Sequence, residues 1–566
     1  MAMDSKWTDR VDREAPLPEY PRPQLVRGNW MSLNGQWDYA ITSSGRRPKE
    51  FDGRITVPFS PETSLSGVER ELQPGEFLWY RLNVAVPEEF AGKRLILHFG
   101  AVDQEAIVWV NSAQVARHIG GYLPFEADVT DAVENGEMLI TVRVTDDTEK
   151  NQRTRGKQSS HPGGIWYHKQ SGIWQSVWLE AVPQCYVASL NITPDYDSAC
   201  VQVSARIVGE EAAYAVFEGR EYALPAAIPV PEFEAWSPEN PKLYDFSVRC
   251  GEDVVQSYFA MRKFSMEKDA DGTPRLFLNG KPYFHNGLLD QGYWPDGLYT
   301  APTDEAMIND ILAAKEMGFN MLRKHIKVEP LRWYYHCDRL GMLVWQDMPS
   351  GGGKYSPLII TPTLFTNIHL SDRAYSLFAR GDAAERELFM KELGGMVEHL
   401  YNCPCIAMWV PFNEGWGQFD SAKALSIIRS IDKTRTVDHA SGWHDQGISD
   451  VKSWHVYFRE YRFRKDKKQR AVVLSEFGGY SHFVIGHTYG KKLFGYKKFE
   501  TPAQLEMGLD ELYASIAEAK KQGLAAAVYT QLTDVENELN GLLTYDRCVC
   551  KTAPEVMRGI VGRLND

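Results

Sequence analysis

From residue 264 onward, apolar runs of strand length alternate with amphipathic stretches of helical period, and few folds accept that pattern over so long a span. The stretches 303–317, 331–339, 383–400, 422–432 and 505–521 carry helical spacing. The runs 319–322, 343–346, 406–412, 472–474 and 525–529 read as buried strands between them. Roughly 290 residues of such repetition predict a (β/α)8 TIM barrel over 265–566, with parallel strands. Two of the runs end alike. Ile406-Ala407-Met408-Trp409-Val410-Pro411-Phe412 gives way to Asn413-Glu414-Gly415, and Ala471-Val472-Val473-Leu474-Ser475 gives way to Glu476-Phe477-Gly478. Each places its first ionisable residue where strand becomes loop, the end of a barrel where active sites are built.

Upstream the texture is all-β. Alternating runs such as Leu78-Trp79-Tyr80-Arg81-Leu82 and Ala106-Ile107-Val108-Trp109-Val110, broken by Gly, Asn, Asp and Pro, predict a jelly-roll β-sandwich over 1–183. A second set between 184 and 264 predicts a small immunoglobulin-like β-sandwich. Three domains suit a chain of 566 residues, well above what one core supports. Residues 1–25, rich in proline and acid, read as an extended lead-in without the apolar core of a signal peptide.

Composition narrows the partners. Asp plus Glu number 75 against 62 Lys plus Arg, a formal charge of -13, which argues against nucleic acid held through its phosphates. No apolar run reaches the roughly 18 residues of a membrane span. Eight scattered cysteines include Cys403/Cys405 and Cys548/Cys550, but no CxxC with matching histidines, so reduced thiols in a cytoplasm are expected rather than zinc. Gly351-Gly352-Gly353-Lys354 lacks the Ser or Thr of a phosphate loop, and Asp534-Val535-Glu536-Asn537-Glu538 lacks calcium-loop spacing. No cofactor and no metal are expected. The partner is expected to be an oligosaccharide or small glycoside, and the sandwiches offer surface for self-association.

Two carboxylates at strand ends of one barrel suit glycoside cleavage, where a retaining enzyme needs them about 5–5.5 Å apart. Glu476 is the candidate nucleophile and Glu414 the acid/base, with the charge of Glu476 expected to raise the Glu414 pKa. Asn413 is placed to reach the sugar 2-hydroxyl, and Trp416 to offer an aromatic platform. Arg323 is expected to orient the nucleophile through its rigid fork. His325 and Asp290 are candidate ligands of sugar hydroxyls, and His455 and Tyr457 lie where the sixth strand should end, within reach of the nucleophile. A non-catalytic carbohydrate-binding protein on the same scaffold would not need both glutamates, and an inverting hydrolase would hold them about 6.5–9.5 Å apart.

The chain resembles glycoside hydrolase family 2 over nearly its whole length. The resemblance is carried by Leu33-Asn34-Gly35-Gln36-Trp37, Gly172-Ile173-Trp174-Gln175-Ser176-Val177-Trp178-Leu179-Glu180, Gly318-Phe319-Asn320 through Arg323, Trp409 through Glu414, and Ser475-Glu476-Phe477-Gly478. It implies a retaining exo-glycosidase with Glu414 as acid/base, Glu476 as nucleophile and Asn413 on the 2-hydroxyl. The chain departs from the family pattern at Gly287-Leu288-Leu289-Asp290-Gln291 and Lys324-His325-Ile326-Lys327. It also has Tyr529 where the strand-8 tryptophan is usual, and no Asn-x-Lys pair follows to hold a uronate carboxylate. These departures place β-galactosidase first, with β-glucuronidase, in which Lys327 would supply a cation, and α-L-arabinosidase or β-D-galactofuranosidase as alternatives.

Overall fold

The structure, a computed structural model, describes residues 3–360, 368–457, 459–490 and 494–564. Eight parallel strands build its C-terminal barrel: β1 (His285–Asp290), β2 (Met321–Lys324), β3 (Leu343–Asp347), β4 (Ile406–Val410), β5 (Thr436–Val437), β6 (Val451–Val456), β7 (Ala471–Gly478) and β8 (Leu524–Thr530). Hydrogen-bonded neighbours run 5-4-3-2-1-8-7-6. The segments after β5 and on β6 meet through Ser453, whose Oγ accepts from the Gly442 N–H at 3.1 Å and donates to Asp438 at 3.2 Å. Every residue of β3, β4, β7 and β8 is buried, as expected of parallel strands covered on both faces.

Helices α1 (Asp304–Glu316), α2 (Leu331–Leu340), α3 (Ala383–Leu400) and α4 (Ser421–Ile431) follow β1 to β4. Helix α5 (Pro502–Gln522) precedes β8, and α6 (Pro554–Gly562) follows it. Local chemistry sets their ends. The Thr303 side chain caps the Ala306 N–H of α1, Asp382 caps α3, and Thr501 followed by Pro502 starts α5. Gly341, at φ 73, ends α2 in the left-handed region where a side chain is strained. Among the described residues no helix follows β5 or β6, so the repetition is less regular than the sequence pattern predicts. No helix among the described residues is long and apolar enough to cross a membrane.

Two sandwiches precede the barrel. A six-stranded and a four-stranded antiparallel sheet, ending with Val177–Val182, pack around Trp37, Leu97, Val108 and Val142. Strand Glu105–Val110 shows the expected alternation of buried and half-buried residues. A three-stranded and a four-stranded sheet, between Tyr186–Asp195 and Asp253–Phe259, form the second sandwich around Val201, Phe217 and Val248. The N-terminal segment is more than a lead-in. Trp7 is buried edge-on against Trp294 in the barrel core (5.7 Å), and Ser5 bonds Asp296 at 2.6 Å.

The first sandwich is tied to the second by buried charge. Arg27 donates to Glu180 on the first (3.0 Å) and to both oxygens of Asp253 on the second (2.9 and 2.8 Å). Glu180 also accepts from Arg22 (2.6 Å), Tyr20 (2.6 Å) and the Trp178 indole (2.9 Å). Burial alone would raise the Glu180 carboxyl, but Arg22, His98 and Arg27 outweigh it and hold it well below the usual carboxylate range. Removing one partner of such a network leaves the other charges buried and uncompensated, at a cost of about 3–5 kcal/mol. Glu180→Ala is therefore expected to lower the urea midpoint, followed by tryptophan fluorescence, by an amount corresponding to about 3–5 kcal/mol. A loss below about 1 kcal/mol, the size typical of a surface pair, would contradict this account of the junction.

Candidate active site

At the C-terminal mouth of the barrel, one guanidinium collects the ends of four strands. Arg323, on β2, is fully buried and uses all five of its N–H donors. Nε and Nη2 grip the two oxygens of Asp347 at the end of β3, each at 3.0 Å. Nη2 also reaches Asn413 Oδ1 after β4 (2.8 Å), and Nη1 reaches the Ser475 carbonyl (3.1 Å) and Glu476 Oε1 (3.0 Å) on β7.

A local irregularity aims Glu476 into this network. In the ladder with β6, Trp454 pairs with Leu474 and His455 with Glu476; against β8, Leu474 pairs with Ala527 and Phe477 with Tyr529. The extra residue at Ser475-Glu476 is a bulge, the device by which a strand re-aims a side chain beside a site. Glu476 Oε1 then lies on Arg323, and Oε2 accepts from the Tyr457 hydroxyl. The Tyr457 ring stacks on Tyr496 at 4.1 Å. Burial, with the charge of Glu476 beside it, pushes the Tyr457 hydroxyl pKa well above its ordinary value, so it remains a donor.

Glu414 reaches the same point from β4. Its backbone sits at φ 51, a conformation that costs about 1–3 kcal/mol outside glycine and that concentrates at functional sites. The Glu414 N–H donates to the Ser441 carbonyl at 2.9 Å, which pins the turn. Oε1 lies 2.7 Å from His455 Nδ1, and Oε2 accepts from the Trp416 indole at 3.1 Å. His455 Nε2 in turn faces Ser441 Oγ (3.0 Å) and Glu476 Oε1 (3.6 Å). A Glu414 oxygen, a Glu476 oxygen and a His455 ring nitrogen all lie within 4.8 Å of one another. That closeness suits the roughly 5–5.5 Å carboxyl separation of a retaining site better than the roughly 6.5–9.5 Å of an inverting one.

The Glu414 pKa departs from the sequence expectation. Burial pushes the carboxyl up, but the His455 bond and charge, the Trp416 N–H and the charge of Lys157 prevail, leaving it below its ordinary value. The raising influence expected from Glu476 is thus not the controlling one. His325, in contact with Asp347 through Nδ1 at 2.8 Å, is pushed well below its usual value by burial and then by Lys157, and stays neutral.

Three candidates stand elsewhere. Cα partners in the parallel ladder share a face, so Leu289 is on the side of Arg323 and Asp290 on the side of Lys324. Asp290 therefore points out of the barrel, where it accepts from Lys324 at 2.6 Å, and it is not a sugar ligand in this structure. Lys327 belongs to the same outer cluster, on Glu329 (2.8 Å) and the Gly292 carbonyl (2.6 Å), and supplies no cation to the mouth. Tyr529 pairs with Leu288 and faces out in the same way, against Phe477 and Tyr513, with its hydroxyl on the Tyr480 backbone at 3.2 Å. Thr530 turns inward instead, to within 3.4 Å of the Tyr457 hydroxyl.

The structure also brings in residues that sequence reasoning missed. Asp347 ends the strand run Leu343-Val344-Trp345-Gln346-Asp347 and repeats the strand-end acid signal of Glu414 and Glu476. Residues 149–166, a loop of the first sandwich, cross to the barrel mouth and carry no such signal. Together with Trp416, Tyr355 and Tyr496 they line a cavity of about 890 Å³ beside Glu414. Trp166 stacks over Tyr355 (5.8 Å) and meets Trp416 edge-on (5.2 Å). After β8, a chain of amides runs from Gln291 to Gln531 (2.7 Å), to Asn540 (2.8 Å) and to Glu538 (3.0 Å). Among the described residues, two clusters carry donors spaced as metal ligands, Glu414 with His455 and Glu476, and the partly exposed His487 with Asp546 and Cys548.

This arrangement has known counterparts. Residues 69–183 match the family model "Glycosyl hydrolases family 2, sugar binding domain", and residues 273–492 match "Glycosyl hydrolases family 2, TIM barrel domain". A β-galactosidase of Thermoanaerobacter pseudethanolicus is 25% identical over 449 residues, which cover 74% of this chain and 55% of that one. The β-glucuronidase of Homo sapiens is 21% identical over 583 residues, 87% of this chain and 84% of that one. In fold, the chain is similar to an uncultured Clostridium β-glucuronidase (TM-score 0.75, 18% identity, 95% and 98% of the two chains). It is equally similar to a β-galacturonidase from Eisenbergiella tayi bound to galacturonate (TM-score 0.74, 17% identity, 96% and 99%). With both domain models in order and two carboxylates meeting at the barrel mouth, the chain belongs to glycosyl hydrolases family 2, the retaining glycosidases.

Proposed function

We propose that this glycosidase removes a terminal neutral hexose, a β-galactoside before others, and that Glu476 and Glu414 carry the two half-reactions. Glu476 attacks the anomeric carbon, and its charge is held in place by Arg323 and the Tyr457 hydroxyl. Glu414 gives a proton to the leaving oxygen, and His455, 2.7 Å away, keeps that proton within the pair until it is needed. Once the sugar is esterified to Glu476, Glu414 takes a proton from water and the ester is hydrolysed with net retention. The Asn413 carbonyl is engaged by Arg323, which turns its amide donor toward the sugar 2-hydroxyl.

The observation that carries the choice of a neutral sugar is the acidic loop after β8. Glu538 is buried there, and the nearby Lys551 is held by Asp534 at 2.6 Å, so the lysine of this loop is already paired and not free to meet a uronate carboxylate. The second reading is a uronide. It is favoured by the names of the structural neighbours, β-glucuronidases and a β-galacturonidase, and by the presence of Lys157 near the same loop.

The test is a kinetic screen of nitrophenyl β-galactoside, β-glucuronide, β-glucoside, α-L-arabinofuranoside and β-galactofuranoside. The β-galactoside is expected to have the highest kcat/KM, at least about tenfold above the glucuronide; preference for the glucuronide would overturn the neutral-sugar reading. The role of Glu414 has its own signature. Glu414→Ala should slow poor leaving groups far more than good ones, since only the former need the proton. Trp416→Phe removes a donor to the Glu414 carboxylate. The catalytic form is the protonated one, so the alkaline limb of kcat/KM should move up by roughly half to one pH unit. A downward shift in the pH profile would contradict the assignment.

A further inference from the structure

The loop of the first sandwich that enters the barrel mouth is tightly placed. Thr154 Oγ1 donates to Glu392 on α3 (3.0 Å), and the N–H groups of Arg155 and Gly156 both donate to the Ser350 carbonyl beyond β3 (2.9 and 3.0 Å). Gly156 lies at φ 64, and a Cβ there would fall 2.5 Å from the Tyr299 hydroxyl and 3.0 Å from the Ile326 carbonyl. The loop backbone is thus pressed against the segment that carries His325, and the residue that follows is Lys157.

Lys157 is 9% exposed. Its ammonium lies 5.6 Å over the Tyr167 ring, and the Tyr167 hydroxyl donates to Glu538 at 2.5 Å. Among the described residues that ammonium makes no hydrogen bond or ion pair, in a protein where Lys324, Lys327 and Lys551 are all held by carboxylates. Its charge is nonetheless felt across the mouth. Burial raises the Glu538 carboxyl, and Lys157 is the largest influence opposing it; burial and then Lys157 depress His325. A buried ammonium and a buried carboxylate, brought from different domains and linked through the Tyr167 ring and hydroxyl, offer a donor and an acceptor to the same ligand.

We infer that Lys157 and Glu538 together grip one hydroxyl of the terminal sugar, the ammonium donating to its oxygen and the carboxylate accepting its proton. The sandwich then reads the sugar that the barrel cleaves. A hydroxyl satisfies both partners at once, whereas a carboxylate satisfies the ammonium but has no proton to offer the Glu538 oxygens. The inference rests on the neutral-hexoside reading and deepens it.

The experiment uses the full chain, wild type and Lys157→Met, Lys157→Arg and Glu538→Gln, with nitrophenyl β-galactoside and its 2-, 3-, 4- and 6-deoxy analogues. Lys157→Met should lower kcat/KM on the parent about 100-fold or more. On one deoxy analogue, itself poor with wild type, the same substitution should cost no more than about threefold, because the contact is already absent. Glu538→Gln should show the same selectivity, and Lys157→Arg should recover part of the parent rate. An equal loss on every analogue would overturn the inference, since Lys157 would then act through Glu414 or through folding, and a parallel fall in Tm would identify the latter. A loss of less than about threefold on the parent would overturn it as well. If the wild type prefers the glucuronide and Lys157→Met abolishes only that activity, both the neutral reading and the inference fail. If another neutral glycoside is preferred, the galactoside choice alone fails, and the deoxy series of that sugar decides the inference.

Discussion

The site depends on one guanidinium with nothing left over. Arg323 spends each of its five donors on groups from β3, β4 and β7, and two of its partners are the carboxylates of Asp347 and Glu476. A planar fork is suited to this because its geometry fixes where each acceptor must lie, which an ammonium on a flexible stem would not do. Buried charges of this kind add little net stability, since desolvation offsets much of the attraction. Their contribution here is positional: Glu476, Asn413 and Asp347 are held in register by the same side chain.

The pairing of Glu414 with His455 is the complementary feature. An acid/base, the role proposed for Glu414, must be protonated for the first half-reaction and ionised for the second, and burial alone would keep it protonated throughout. His455, the Trp416 indole and Lys157 counter that burial, so the carboxyl can change state within the cycle. The backbone contributes through the left-handed conformation of Glu414 and the bulge at Ser475-Glu476, two departures from regular strand that bring the carboxylates together. Neither irregularity follows from local propensity, and both occur where the chemistry is.

The barrel and the carboxylate pair were legible because each leaves a local mark: a buried run of strand length ending in its first charge. Asp290, read from its place at the end of the first barrel strand, and Tyr529, taken from the family resemblance, were misplaced. Strand side chains alternate faces, so a reading one residue out sends a side chain outside the barrel, and sequence alone does not fix that parity at β1 or β8. Arg323 and Lys324 make the point, one at the centre of the site and the other in an ion pair behind it. Asp347 was missed although it carries the strand-end signal. Trp166, which lines the cavity, and Lys157 and Glu538, for which a sugar contact is proposed, were missed for another reason. They sit on loops whose destination is set by packing between domains, as where Gly156 lies against Tyr299 and Ile326, and no period or local spacing encodes that contact.

The claim on which the whole account turns is that Glu476 becomes covalently bonded to the sugar. Incubation with a 2-deoxy-2-fluoro-β-galactosyl fluoride, which slows hydrolysis of the ester more than its formation, followed by peptide mass mapping, measures this directly. The account predicts a single added glycosyl mass on the peptide containing Glu476, with the product of the native reaction released in the β configuration. A label on any other residue, or an α-configured first product, would contradict it.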